Sequence, residues 1–300
     1  MQNLRIAYDQ TKGAIPPERR RLSDVFRDCA NGLPPRQPHA DGDLLITEAF
    51  IAQENLRKIG SYIKAMLGCG FELGPAKDLD RAKEKSRAKL TKDTESDSTP
   101  SDAEARKEDG LERNCDFSRA RGLLNGTERI KKAIDLFGQR GPVTLKNGNK
   151  SLTLHVVDVD NSFSDPNPKK ANLRNLDIKL AVPITLQDGS ETYHICEIQF
   201  IHKGAKKAYA QSEECYKAAR REMVRMQYLE NAMDMCTPES VKMLEKNWYS
   251  AQSSHAKNME QRRALNRGVV DKYGLDDLIG YQPCVFCGAK NLAKAQVQPI

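Results

Sequence analysis

The pattern of apolar positions divides the chain into helical and extended stretches. After Asp43, read as an N-cap, Leu44, Leu45, Ile46, Phe50, Ile51, Leu56, Ile59, Ile63 and Leu67 recur near the helical period until Gly68 stops them. This predicts one long core-packing helix. A second helix is expected at about 76–90, followed by a flexible loop over 91–113, rich in Ser, Thr, Asp and Glu. Strands near 115–124 and 151–159 bracket a helix near 127–138. Two further apolar runs, 173–186 and 193–200, flank Gln187-Asp188-Gly189-Ser190 and read as a β-hairpin with a two-residue turn. Long helices follow over 203–232 and 238–266, with a shorter one at 269–280. The order is α/β: a small central mixed sheet of four to five strands, flanked by helices and followed by a helical extension.

Three units are expected: a weakly ordered arm over 1–42 that holds at most a short helix, a main domain over 43–232, and a C-terminal helical extension and tail over 233–300. With 300 residues and 39% hydrophobic content the chain can bury a real core. No apolar run approaches the roughly 20 residues of a membrane span, and Met1-Gln2-Asn3-Leu4-Arg5 lacks a secretory signal, so no membrane association is expected. The expected compartment is the cytoplasm, of the producing cell or, for an exported effector, of its target. Lys plus Arg exceed Asp plus Glu by 48 to 41, a balance that suits an anionic ligand. The eight cysteines are scattered and read as reduced thiols; Cys284 and Cys287 form the one CxxC pair, either a zinc site or ordinary thiols.

Glu197 stands out because a carboxylate interrupts the second arm of the hairpin. A two-residue turn would place it opposite Leu180, among Val182, Ile195 and Ile178. A buried carboxylate requires a cation, metal or substrate beside it; otherwise the face is solvated. Lys77, Arg81, Lys85 and Lys89, four residues apart, would stack four cations along one helix face, as a polyanion-binding ridge or simply a soluble surface. In the next strand Asp116 precedes Arg119 and Arg121, the composition of a metal-bound phosphate site or of a surface ion-pair cluster. Arg174 would share the face of Glu197, within about 20 Å along the strand. His202, Lys203, Lys206 and Lys207 place further positive charge at the start of the following helix.

Taken in order, Lys77-x-x-x-Arg81-x-x-x-Lys85, Asp116-Phe117-Ser118-Arg119, Leu173-Arg174-Asn175-Leu176 and Glu197-Ile198-Gln199 resemble the motifs of the RelA/SpoT-like synthetase family. The resemblance spans about residues 45–230. It implies a nucleotidyltransferase-like fold and an ATP-dependent pyrophosphokinase that modifies the ribose 3′-hydroxyl of GDP or GTP to make the alarmones (p)ppGpp. It further implies that Lys77, Arg81 and Lys85, with Lys89 as a fourth, bind ATP phosphates, that Arg119 contacts phosphate, and that Asp116 and Glu197 hold Mg²⁺; Arg121, Arg174 and Gln199 are taken as further nucleotide contacts. Glu197 would also activate the attacking hydroxyl. Where the family has a tyrosine that stacks on the acceptor base, this chain has Leu173, so an adenine nucleotide or an RNA 3′ end is an alternative acceptor. A catalytically inactive nucleotide- or RNA-binding module of the same fold is the competing expectation, and a helical scaffold binding nucleic acid nonspecifically is a third. No His-Asp pair of the family's hydrolase domain is present, so any activity should be synthetic only.

Overall fold

The computed structural model describes residues 19–75, 77, 82–83, 111–167, 171 and 173–283. Among them, one mixed sheet of six strands organises the chain: β1 (Gly70–Leu73), β2 (Arg119–Leu124), β3 (Gly141–Asn147), β4 (Lys150–Asn161), β5 (Leu176–Thr185) and β6 (Glu191–His202), in the order β1-β2-β6-β5-β4-β3. Only β2 and β6 run parallel; every other neighbouring pair is antiparallel. The α/β expectation holds, with β1 and β3 as strands beyond the four located from the sequence. The signal for β3 was present: Gly148 and Asn149 form a two-residue turn between Asn147 and Lys150, with Gly148 at φ 58°. β1 is an edge strand of four residues, too short to announce a period.

Helices α1 (Leu22–Ala30), α2 (Gly42–Leu67), α3 (Thr127–Phe137), α4 (Lys206–Met233) and α5 (Pro238–Tyr273) surround the sheet. The N-cap of α2 is Asp41, whose side chain accepts from Leu44 N at 3.0 Å, two residues earlier than the sequence pattern suggested. The sheet's core face is covered by α2 and α3, which bury Leu56, Ile59, Ile63, Ile130, Ile134 and Phe137 against Ile178, Leu180, Val182, Cys196, Ile198 and Phe200. Phe137 stacks on Phe200, with centroids 5.3 Å apart. Phe200 in turn lies so close to β2 that a Cβ on Gly122 would meet its ring at 2.2 Å, so only glycine fits there.

On the opposite face, α1 packs Val25 and Cys29 against Val157, Ala181 and Ile195. Residues 19–41, expected as a weakly ordered arm or a short helix followed by a loop, take the second form, with the helix covering one end of this face. Gln37 ties the same segment down: its side chain accepts from Ile195 N at 2.9 Å and donates to Ile195 O at 2.8 Å, completing the edge of β6 beyond the reach of β2. α4 and α5 form an antiparallel pair. α5 runs on to Tyr273 and is followed by a short 3₁₀ turn, Leu275–Leu278, in place of the separate helix expected at 269–280. No described helix is long and apolar enough to cross a membrane.

Candidate functional site

The β5–β6 turn sets what Glu197 faces. Gly189 N donates to Leu186 O at 3.0 Å, Leu186 N donates to Ser190 O at 2.9 Å, and Gly189 sits at φ 83°. These bonds close a three-residue loop, Gln187-Asp188-Gly189, with glycine in the left-handed position that its lack of Cβ permits. The expected two-residue turn is therefore wrong by one residue, and a one-residue slip turns every side chain of a strand to the other face. Glu197 lies opposite Lys179, with Leu180 opposite Cys196. Ile178, Leu180 and Val182 belong to the core face; Glu197 belongs to the other.

A bulge in β4 enriches that second face. Val156 pairs with Leu180, but the register then shifts so that Asp158 pairs with Lys179 and Asp160 with Asp177. Without the extra residue, Asp158 would lie opposite Ile178, on the core side; the bulge moves both acids away from it. Two polar rows result. One runs Arg119, Glu197, Lys179, Asp158 across β2, β6, β5 and β4; the other runs Glu72, Arg121, Gln199, Asp177, Asp160 from β1 to β4. The first row alternates in sign and is extended by Arg140, whose guanidinium lies 3.0 Å from Asp158. Lys179 is ion-paired to Glu197 through a short contact. Burial alone would lower its pKa, but the charges of Glu197 and Asp177 outweigh burial and raise it above the ordinary lysine value. Its ammonium is therefore permanent at physiological pH.

At the β1–β2–β6 end these rows open into a cleft of about 470 Å³, lined by Glu72, Gly74, Arg119, Arg121, Glu197 and Gln199 from the sheet side and by Glu213 and Lys217 from α4. Its size is that of a small-molecule site. Arg121 donates to Gln199 Oε1 at 3.2 Å. Glu197 N is held by Ser118 O at 3.0 Å, which fixes the parallel β2–β6 step that sets Glu197 beside Arg119.

Of the residues singled out from the sequence, Glu197, Arg119, Arg121 and Gln199 meet in this cleft. Asp116 precedes β2, which starts at Arg119, and does not line the cleft; its carboxylate lies 2.7 Å from Lys77 Nζ, both side chains about nine-tenths buried. Lys77 follows Pro75, a lining residue, by two positions, and its N–H bonds Phe117 O at 3.1 Å. Arg81, Lys85 and Lys89 lie outside the described residues, as do Cys284 and Cys287. Arg174 is a correction: it precedes β5, is buried, and its guanidinium pairs with Asp276 at 2.5 Å and donates to Ser162 O at 3.2 Å. It joins the 3₁₀ turn after α5 to the body and is not part of the cleft. Leu173 packs against the main core and does not line the cleft either.

Sequence reasoning missed Lys179, Lys217 and Glu72 as cleft or network members. For Lys179 the signal was the alternation Asp177-Ile178-Lys179-Leu180 itself, which becomes readable once the turn length is known. Among the described residues no three His, Cys, Asp or Glu side chains gather as a metal cage. Of the two acids singled out from the sequence for Mg²⁺, Glu197 lines the cleft and Asp116 does not.

No family model matches this chain, and no curated protein does. Among solved structures it is similar to a chain from the crystal structure of the complex between the type VI effector Tas1 and its immunity protein, at 14% identity and a TM-score of 0.33, covering 72% of this chain and 96% of the other. A likeness of that degree carries nothing about activity.

Proposed function

We propose that the chain is a nucleotide pyrophosphokinase, transferring the β,γ-pyrophosphate of ATP to the ribose 3′-hydroxyl of an acceptor nucleotide. The observation that carries this reading is the convergence in one polar cleft of Arg119, Glu197 and Gln199, at positions where the sequence resembles RelA/SpoT-like synthetases, together with Arg121. Arg119 and Arg121 offer planar forks to phosphate oxygens. Glu197, beside Arg119, takes the proton of the hydroxyl as that oxygen bonds to the β-phosphorus and the bond from β-phosphorus to the α,β-bridging oxygen breaks, releasing AMP. Glu197 would hold Mg²⁺ carried in by the nucleotide, whose role is to neutralise charge on the phosphates, and the resemblance adds Asp116, which is paired with Lys77 and does not line the cleft. Lys77 and, beyond the described residues, Arg81, Lys85 and Lys89 are assigned to ATP phosphates by the resemblance.

The acceptor is GDP, GTP, an adenine nucleotide or an RNA 3′ end. Incubation with γ-labelled ATP, Mg²⁺ and a panel of GDP, GTP, ADP, ATP and deacylated tRNA tests the reading. Label on one acceptor supports it, and label on none overturns it. The packing of Leu173 away from the cleft favours a second reading, a nucleotide- or RNA-binding module without turnover. Tight binding by calorimetry without label transfer selects that reading.

A further inference from the structure

Each of the two carboxylates assigned to a metal–nucleotide already carries a lysine: Lys179 on Glu197 and Lys77 on Asp116. The two pairs differ in origin. Lys77 reaches Asp116 from the segment after β1, whereas Lys179 is fixed by sheet register, directly opposite Glu197 and between it and Asp158 in the sign-alternating row. Only about a fifth of the Lys179 side chain is exposed, so its stem is sandwiched along the sheet with its charge delivered to Glu197. An ammonium in contact with a carboxylate occupies a direction from which a cation would approach and repels a second positive charge there.

Resting on the pyrophosphokinase reading for the identity of the ligand, we propose that Lys179 is a built-in counter-cation, holding Glu197 in place until a divalent metal with its nucleotide competes for the same carboxylate. Lys179 is a positioning residue in this scheme. It sets how tightly the cleft takes a metal–nucleotide, and no bond to it forms or breaks in the reaction.

The test is binding of the preformed Mn²⁺ complex of a non-hydrolysable ATP analogue, followed by equilibrium dialysis of the metal–nucleotide against the protein. Lys179→Met keeps the stem and removes the charge, and should bind about tenfold more tightly than the unaltered chain, while Lys179→Arg, which keeps the charge, should show no such gain. Unchanged or weaker binding by Lys179→Met overturns the proposal and marks Lys179 as a structural or phosphate-contacting group. If Lys179→Met fails to fold by circular dichroism, Lys179→Gln is used in the same titration with the same expected gain. Because the readout is binding, a chain that transfers no label still decides the matter: the pyrophosphokinase reading then fails while the counter-cation stands or falls on the titration.

Discussion

The two faces of the central sheet use the same strands for opposite ends. On the core face, Ile178, Leu180, Val182, Cys196, Ile198 and Phe200 are essentially fully buried under α2 and α3. On the other, Arg119, Arg121, Asp177, Lys179, Glu197 and Gln199 alternate with them residue by residue and stay only partly covered. Apolar burial contributes roughly 25 cal/mol per Å² and is indifferent to direction, so the core face supplies stability. Charges near a surface gain little net stability from pairing, so the polar face has its energy free for a ligand. One face is selected for packing, the other for charge placement, and strand register keeps them apart.

That contrast can be broken at several points. The largest effect is expected on the polar face: Glu197→Gln should lower label transfer by about two to four orders of magnitude with an unchanged melting profile, and Asp116→Ala should act in the same direction. Near-unaltered rates would remove both residues from the chemistry. On the core face, Phe200→Ala should cost about 3–5 kcal/mol in urea denaturation, through the lost stack on Phe137 and the cavity beside Gly122. A loss below about 1 kcal/mol would mean that the helices collapse to fill the space.

The next effect concerns a charged residue buried in the core, Glu48 of α2. It is buried with His39 3.1 Å and Arg19 2.7 Å away, and His194 on its other oxygen. Burial pushes its carboxyl up, but the close approach of His194, His39 and Arg19, with the charge of His39, outweighs it and brings the pKa down to about 2. A carboxyl lowered on folding stabilises the protein above its unfolded value and loses that contribution as pH falls toward the folded one. Stability should thus decline between about pH 4.5 and pH 2, by on the order of 3 kcal/mol from this group. Glu48→Gln should flatten that stretch of the pH–stability curve, and an unaltered slope would assign the acid sensitivity elsewhere. His194 acts in the same sense: burial lowers its pKa, so stability also falls as pH drops below the ordinary histidine value.

The smallest effect is expected at the turn. One glycine inserted after Gly189 should change stability by less than about 1 kcal/mol and leave label transfer intact, because extra loop length costs little and both faces hold the register. If the loop alone dictated pairing, the insertion would drive Glu197 toward the core and the chain would unfold.

How much of this was legible follows from the range of each signal. The helical period behind α2 and α3 and the apolar runs of β5 and β6 are local, and they locate these elements within a few residues. β1 is too short to show a period. The sequence also marked the hairpin, since Asp188-Gly189 is a strong turn signal, but did not give its length; Leu186 and Ser190 pair or not according to bonds made across the turn. From that one residue came the error about Glu197 and Leu180. Arg174 was misread for a related reason. Its period matched β5, yet the strand starts two residues later and its partner, Asp276, lies 102 residues away.

By itself, then, the sequence determined the α/β order, the core residues of the main helices, and the presence of Glu197, Arg119, Arg121 and Gln199 as candidates for one site. Only the tertiary structure decided that these four line one cleft, that Glu197 faces Lys179, and that Arg174 belongs to the contact with the C-terminal turn. Periodicity reports the environment a residue needs, whereas a partner across strands depends on loop closure and on a bulge such as the one in β4, where a single residue exchanges the two faces.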